Sequence, residues 1–148
     1  MMNTRDILLV EDNPSDALLT QRAFKKSNVV NTLIIVRDGQ EAIDYLFCTG
    51  PYATRDITAF PGVILLDLKL PKIDGLSVLE KIKADKRFQM IPVVVLTTSN
   101  EDNDLKRAYQ LGANSYIRKP VDFTAFNTAV TQLGIYWLML NELPPVGR

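Results

Sequence analysis

An α/β fold built on one parallel five-stranded sheet, with helices on both faces, is the architecture this sequence predicts. Three observations predict it. Residues 7–10, 33–36, 63–66 and 93–96 are unbroken apolar runs. Such runs lack the polar alternation of a half-exposed strand and read as strands buried on both faces. They alternate with segments of helical spacing, the pattern of strand–helix–strand units with right-handed crossovers. Several of the strands also end in a charged or hydroxyl group, and a parallel sheet gathers its strand ends on one edge.

The elements follow in order. Ile7-Leu8-Leu9-Val10 is the first strand and closes on Glu11-Asp12. Asn13 is a capping residue, Pro14 suits a first helical turn, and Asp16 is an early acid. A helix is expected to about Lys26, with Ala17, Leu18, Ala23 and Phe24 inward and Ser27-Asn28 at its end. Leu33–Val36 is the second strand. Asp38 caps a second helix carrying Ala42, Ile43, Leu46 and Phe47 at helical spacing. Cys48 to Phe60 loses all periodicity and reads as a loop that continues the helix for at most a turn.

Val63-Ile64-Leu65-Leu66 is the third strand, and Asp67-Leu68-Lys69-Leu70-Pro71 follows it. Asp74-Gly75 opens a third helix with Leu76, Val78, Leu79 and Ile82 inward, ahead of a charged surface segment at Lys83–Arg87. Ile91–Leu96 is a β-branched fourth strand ending in Thr97. Ser99 to Asp102 resembles a capping box for a fourth helix that Gly112 stops. Tyr116-Ile117 marks a short fifth strand that closes on Lys119-Pro120. Asp122 caps a last helix carrying Phe123, Phe126, Ala129, Val130 and Leu133. Five such units fit the flavodoxin-like, doubly wound strand order 2-1-3-4-5.

Composition narrows the chemistry. The 148 residues suit one domain, expected to span 1–148 with a core at about 6–133 and an extension at 134–148. Lysine plus arginine balance aspartate plus glutamate at 17 each, without the basic excess of a nucleic-acid binder. No run has the length of a membrane-spanning helix, and the N-terminus lacks the form of a signal peptide. No nucleic acid and no membrane are therefore expected as partners. The single cysteine, Cys48, rules out an internal disulfide and fits the reducing cytoplasm. The chain has no histidine, which excludes histidine-based triads and histidine metal ligands.

With strand order 2-1-3-4-5, strands one and three flank the point where ligands bind. Glu11, Asp12 and Asp67 then face one another, with Thr97 and Lys119 nearby. Crowded carboxylates repel unless a cation sits among them. An all-oxygen set suits a hard ion such as Mg²⁺. A carboxylate beside such an ion, a lysine and a hydroxyl can act as a nucleophile toward a phosphoryl group. Each feature alone has an ordinary explanation in turns and caps; their joint order is specific.

In these residues the chain resembles the receiver domain of two-component response regulators, the chemotaxis-regulator type included. The matching positions are Glu11-Asp12, Asp67 within Leu-Leu-Asp-Leu-Lys-Leu-Pro, Asp74-Gly75, Thr97 after Val-Val-Val-Leu, and Lys119-Pro120. The resemblance covers about Asp6 to Leu133. It implies that Asp67 accepts a phosphoryl group from a sensor histidine kinase. It implies Mg²⁺ held by Glu11, Asp12, Asp67 and the backbone carbonyl of Lys69. Thr97 and Lys119 would contact the phosphoryl oxygens, and Thr97 with Tyr116 would form a switch. Phosphorylation would draw Thr97 inward and leave room for Tyr116 to turn in. A cis peptide between Lys119 and Pro120 is also implied. Such a protein is not an enzyme beyond phosphorylating itself from small donors and losing the group again.

Two departures stand out. The segment Cys48–Phe60 lengthens the span from Asp12 to Asp67, as a tolerated insertion or a recognition loop. Lys69 sets a bulky cation beside the site, where it would limit water access and tune phosphoryl lifetime. The end, from Leu133 through Tyr136-Trp137-Leu138 to Leu143-Pro144-Pro145, is very apolar. It reads as an extended last helix packed on its own domain, or as a docking surface. The tail and the loop together resemble the small stand-alone response regulators that accompany bacterial phytochromes. That narrower resemblance implies a phytochrome-type kinase. A homodimer is expected, using the tail and the face of the fourth helix, fifth strand and fifth helix. With no output domain after the receiver, it would act by binding.

Three other readings compete. An unphosphorylated pseudo-receiver would be a pure binding module, but the five central positions are intact. A Mg²⁺-dependent phosphatase working through an aspartyl phosphate would want a second acid where Lys69 stands. A nucleotide-binding protein would need a phosphate-cradling loop after the first strand, where Glu11-Asp12 repel phosphate.

Overall fold

The structure, a computed structural model, describes residues 5–120 and 122–142. Its strands are β1 (Ile7–Val10), β2 (Leu33–Val36), β3 (Val63–Leu66), β4 (Val93–Thr97) and β5 (Ser115–Arg118). All pairings are parallel, in the order β2-β1-β3-β4-β5. The helices are α1 (Pro14–Lys26), α2 (Gly39–Phe47), α3 (Gly75–Ala84), α4 (Asp102–Gln110) and α5 (Phe123–Ile135).

Strand alternation sorts the core into two layers. Leu8, Val10, Ile64, Leu66, Val93 and Val95 face Leu46, Val78, Leu79 and Ile82, which come from α2 and α3. Ile7, Leu9, Val63, Leu65, Val94 and Leu96 face Phe24, Phe126, Val130 and Leu133, which come from α1 and α5. Every residue of β1 and β3 is buried. Burying a side chain of this size contributes about 1.5–3 kcal/mol, so these two strands form a stiff centre. The register pairs Val10 with Leu66. The residues that follow, Glu11 and Asp67, therefore emerge at one level on the same edge.

The helix starts follow the expected capping chemistry. Asn13 Oδ1 accepts from the amides of Ser15 and Asp16, Asp38 from Glu41, Asp74 from Ser77, and Asp122 from Ala125. Gly112, at φ +105°, follows the end of α4 as the sequence predicts.

Several expectations are corrected. Leu18 is 44% exposed; Thr20, one turn beyond Ala17, takes the inward place. The capping box at Ser99 does not form. The helix starts at Asp102 after Glu101, which lends no side-chain bond; the Ser99 hydroxyl donates to Asp104 at 2.6 Å and accepts the Glu101 amide at 3.3 Å, ahead of the first turn. The Lys119–Pro120 bond is not cis. Trans is the lower-energy form before proline, and it is reached directly from the ladder, where the Lys119 amide donates to Thr97 O at 2.7 Å.

The 48–60 segment is folded back on α2. Cys48 ends α2 in the left-handed region, and Gly50–Tyr52 makes a single 3-10 turn. The Tyr52 hydroxyl donates to Glu41. The Arg55 guanidinium stacks 4.0 Å over the Tyr45 ring while its Nε donates to Tyr45 O. Tyr52, Ile57 and Phe60 pack against the core. The tail continues α5 as a π-helical turn, Tyr136–Leu140. Leu138 is buried and Trp137 packs on the α1/α5 layer, while Tyr136 and Leu140 face outward. Leu143, Pro144 and Pro145 lie outside the described residues.

Candidate functional site: a buried aspartate at the sheet edge

Asp67 follows β3 directly and is 6% exposed. Its Oδ1 accepts the Thr97 hydroxyl at 2.8 Å and the Lys69 amide at 3.2 Å. Its Oδ2 accepts from Lys119 Nζ at 3.0 Å. Thr97 and Lys119 arrive from the ends of β4 and β5, so three strand ends converge on one carboxylate. The backbone approach is close. The amide of Gly75, at the start of α3, donates to Leu68 O, and a Cβ on Gly75 would lie 2.2 Å from Asp67 O.

Lys119 Nζ also donates to Glu11 Oε1 and to Asp16 Oδ2 at 3.0 Å. All three donors of the ammonium are thus satisfied, which allows it to sit with its side chain only 4% exposed. Burial alone would lower its pKa. The hydrogen bond and charge of Glu11, with the charge of Asp67, more than offset that and raise it. Asp16 was legible only as an early helix acid; that it reaches Lys119 depends on how α1 lies across the edge.

Glu11, Asp12 and Asp67 each bring a carboxylate oxygen within 4.8 Å of the others. Glu11 and Asp67 are buried and Asp12 is exposed, so the set opens to solvent on one side. Burial pushes the Glu11 carboxyl up to about 7; Lys119 pulls it down and Asp67 pushes it up further. The carboxylates outnumber the one buried ammonium, and a hard divalent ion fits the oxygen donors and the surplus charge.

A pH effect follows. Between 4.5 and about 7 the folded chain keeps a proton on Glu11 that the unfolded chain has lost. Stability from this group is present at the acid end and falls as pH rises across that window. In chelator, the parent should lose more melting temperature from about pH 5 to about pH 8 than Glu11→Gln, which cannot titrate. An equal slope in the two proteins would count against the burial argument.

Thr97 already lies on Asp67, and Tyr116 is partly buried, its hydroxyl donating to Ser99 O at 3.4 Å. Lys69 is exposed, and its Nζ stands 3.9 Å from Asp104 in α4. A cleft of about 490 Å³ lies beside the site, bounded by Asp12, Lys69, Pro71, Asp74 and Asp104. No described helix is long and apolar enough to cross a membrane.

A parallel α/β sheet with an aspartate held among a hydroxyl, a lysine and acids at its edge is the arrangement of a receiver module in signalling. The chain belongs to the response regulator receiver domain family, whose profile matches residues 7–131. It is 44% identical over 138 residues to the probable methanogenesis regulatory protein FilR2 of Methanothrix harundinacea, covering 93% of this chain and 86% of that one. It is 41% identical over 138 residues to response regulator Rcp1 of Synechocystis, covering 93% and 92%. The Mn(2+)-bound structure of Rcp1 superposes with a TM-score of 0.89 at 40% identity, over 95% of this chain and 99% of that one. The phosphorylated cyanobacterial phytochrome response regulator RcpA superposes with a TM-score of 0.88 at 42% identity, over 95% and 98%. Family members of this kind are signalling proteins rather than enzymes, and the acidic cluster is consistent with a divalent metal.

Proposed function

We propose that Asp67 accepts a phosphoryl group from a sensor histidine kinase of the phytochrome type, and that the chain signals through changed protein contacts. The observation that carries this is the setting of Asp67: one oxygen on the Thr97 hydroxyl, the other on the Lys119 ammonium, at the end of a rigid strand. An Asp67 oxygen attacks the phosphorus of a phosphohistidine in line. The P–N bond breaks and its electron pair stays on the imidazole. Thr97 and Lys119 bind the phosphoryl oxygens that result. Mg²⁺, held by Glu11, Asp12, Asp67 and the Lys69 backbone carbonyl, supplies charge neutralisation when bound.

The phytochrome assignment draws support from the phytochrome response regulator RcpA, which this chain matches nearly end to end. A single receiver domain over 1–148, with 134–148 as an extension, and a cytoplasmic location belong to the same reading. So does a homodimer using the tail and the face of α4, β5 and α5, where Tyr109 and Phe123 are exposed. Thr97 and Tyr116 form the switch, and self-phosphorylation from small donors and autodephosphorylation are its only chemistry.

Incubation with Mg²⁺ and acetyl phosphate should add one phosphoryl group per chain, in an acyl phosphate that hydroxylamine cleaves to a hydroxamate and inorganic phosphate. A phytochrome-type kinase should deliver the same group in a light-dependent way. Steady turnover of varied phosphoesters would favour the phosphatase, and no uptake would favour the pure binding module. Sedimentation with and without a phosphate mimic tests the dimer; monomer under both conditions would exclude it.

A further inference from the structure

Asp104 lies in the first turn of α4, outside the groups that touch Asp67, yet one of its partners touches Asp67 and the other touches Thr97, which does. Its Oδ2 accepts the Ser99 hydroxyl at 2.6 Å and stands 3.9 Å from Lys69 Nζ. The Lys69 amide donates to Asp67 Oδ1. The Ser99 amide contacts Thr97 Oγ1 at 3.3 Å, and the Thr97 hydroxyl donates to that same Asp67 oxygen. One carboxylate is thus joined to the reacting group by two short paths. The Lys69–Asp104 pair also borders the cleft that Asp12 enters. Little else holds this end of α4: Ala108 is its one buried residue, Glu101 lends it no side-chain cap, and Arg118 makes only long contacts, to Asn100 O at 3.4 Å and to the fully exposed Asp102 at 3.9 Å.

We propose that Asp104 is a positioning residue for loss of the phosphoryl group: it holds Lys69 across the mouth of the site and so lengthens the life of the aspartyl phosphate. The inference rests on Asp67 as the phosphoryl acceptor. In hydrolysis a water oxygen bonds to phosphorus as the P–O bond to Asp67 breaks. The electron pair returns to the Asp67 carboxylate, a water proton passes to solvent, and inorganic phosphate leaves. Attack in line comes from the side away from Asp67, and the Lys69 side chain, 60% exposed, leaves the backbone two residues after Asp67 and lines, with Asp104, the cleft that Asp12 enters. A lysine without a partner samples many rotamers and clears that approach for part of the time. A lysine drawn to a fixed carboxylate covers it. An exposed ion pair is a weak tether, which sets the scale at about two- to fivefold in rate.

The test separates uptake from loss. The full chain is labelled with acetyl phosphate, freed of donor, and followed as label disappears. Asp104→Asn still accepts the Ser99 hydroxyl but carries no charge; its half-life should shorten by about two- to fivefold. Lys69→Met should shorten it similarly, and the double variant should add nothing further. Asp104→Glu should restore the parent value. Raising salt should shorten the parent half-life and leave Asp104→Asn and Lys69→Met unmoved. A structural role for Asp104 would not depend on salt or vanish without Lys69. An unchanged half-life in Asp104→Asn, or a full effect of Asp104→Asn in the Lys69→Met background, would overturn the proposal while leaving Asp67 as acceptor. A parent chain that takes up no label would overturn both.

Discussion

Replacing Asp67 with asparagine should abolish phosphoryl uptake from acetyl phosphate while leaving the protein folded. The amide oxygen can still accept the Thr97 hydroxyl, and Lys119 keeps Glu11 and Asp16. What disappears is the second anionic oxygen, which is both the nucleophile and one corner of the acidic cluster. Divalent-ion affinity should therefore fall as well, by about tenfold or more. Removing one carboxylate from a crowded set relieves repulsion, so the melting temperature in chelator should not drop. Intact-mass spectrometry reads the first effect and titration calorimetry the second. Label that persists in Asp67→Asn would move the acceptor to Asp12, the exposed acid of the cluster.

Gly75→Ala should damage the same site without touching its chemistry. The added methyl would stand 2.2 Å from Asp67 O and 2.5 Å from Leu68 Cα. Both are backbone atoms that no rotamer change can move. Either α3 retreats, breaking the Gly75 amide to Leu68 O bond, or the Asp67 backbone shifts away from Thr97 and Lys119. Overpacking of this kind costs about 3 kcal/mol or more, at the upper end for inserted methyl groups. Urea unfolding should show the loss, and phosphoryl uptake should slow even where the variant stays folded. Gly112→Ala is the comparison. It carries a strained φ of +105°, but its Cβ meets the flexible Lys83 stem at 3.0 Å. It should cost about 1–2 kcal/mol and leave uptake intact. Equal uptake rates in the two glycine variants would rule out close packing of α3 as the device that places Asp67.

The strands and the main site residues were readable because both depend on local pattern. Unbroken apolar runs fit covered strands, fully so in β1 and β3 and only partly in β2 at the sheet edge, and parallel strands put Glu11, Asp67, Thr97 and Lys119 on one edge whatever the details. Asp38, Asp74 and Asp122 were readable because a cap acts on amides two or three positions away. Asp16 and Asp104 were not, since their partners lie on other elements and the reach depends on how each helix is tilted. The same holds for Ser99: its pattern fits a cap, but its hydroxyl donates to Asp104, five residues on, and accepts the Glu101 amide ahead of the helix. Leu18 shows the limit of hydropathy, because an apolar residue 100° from the buried face of a helix stays outside however apolar it is. The backbone isomer at Pro120 left no local trace at all.

Trp137 is the only tryptophan in the chain, and it sits on the π-helical turn after α5 rather than near Asp67. α5 begins at the edge where Asp67 lies and carries the chain away from it, so the indole stands roughly 20 Å from that edge. Its ring meets Tyr136 edge-on at 5.1 Å and packs on the α1/α5 layer. The intrinsic emission of this protein is therefore a gauge of whether its last turn is docked. A quench on adding a phosphodonor would have to travel the length of α5, and would measure communication between the two ends of the domain.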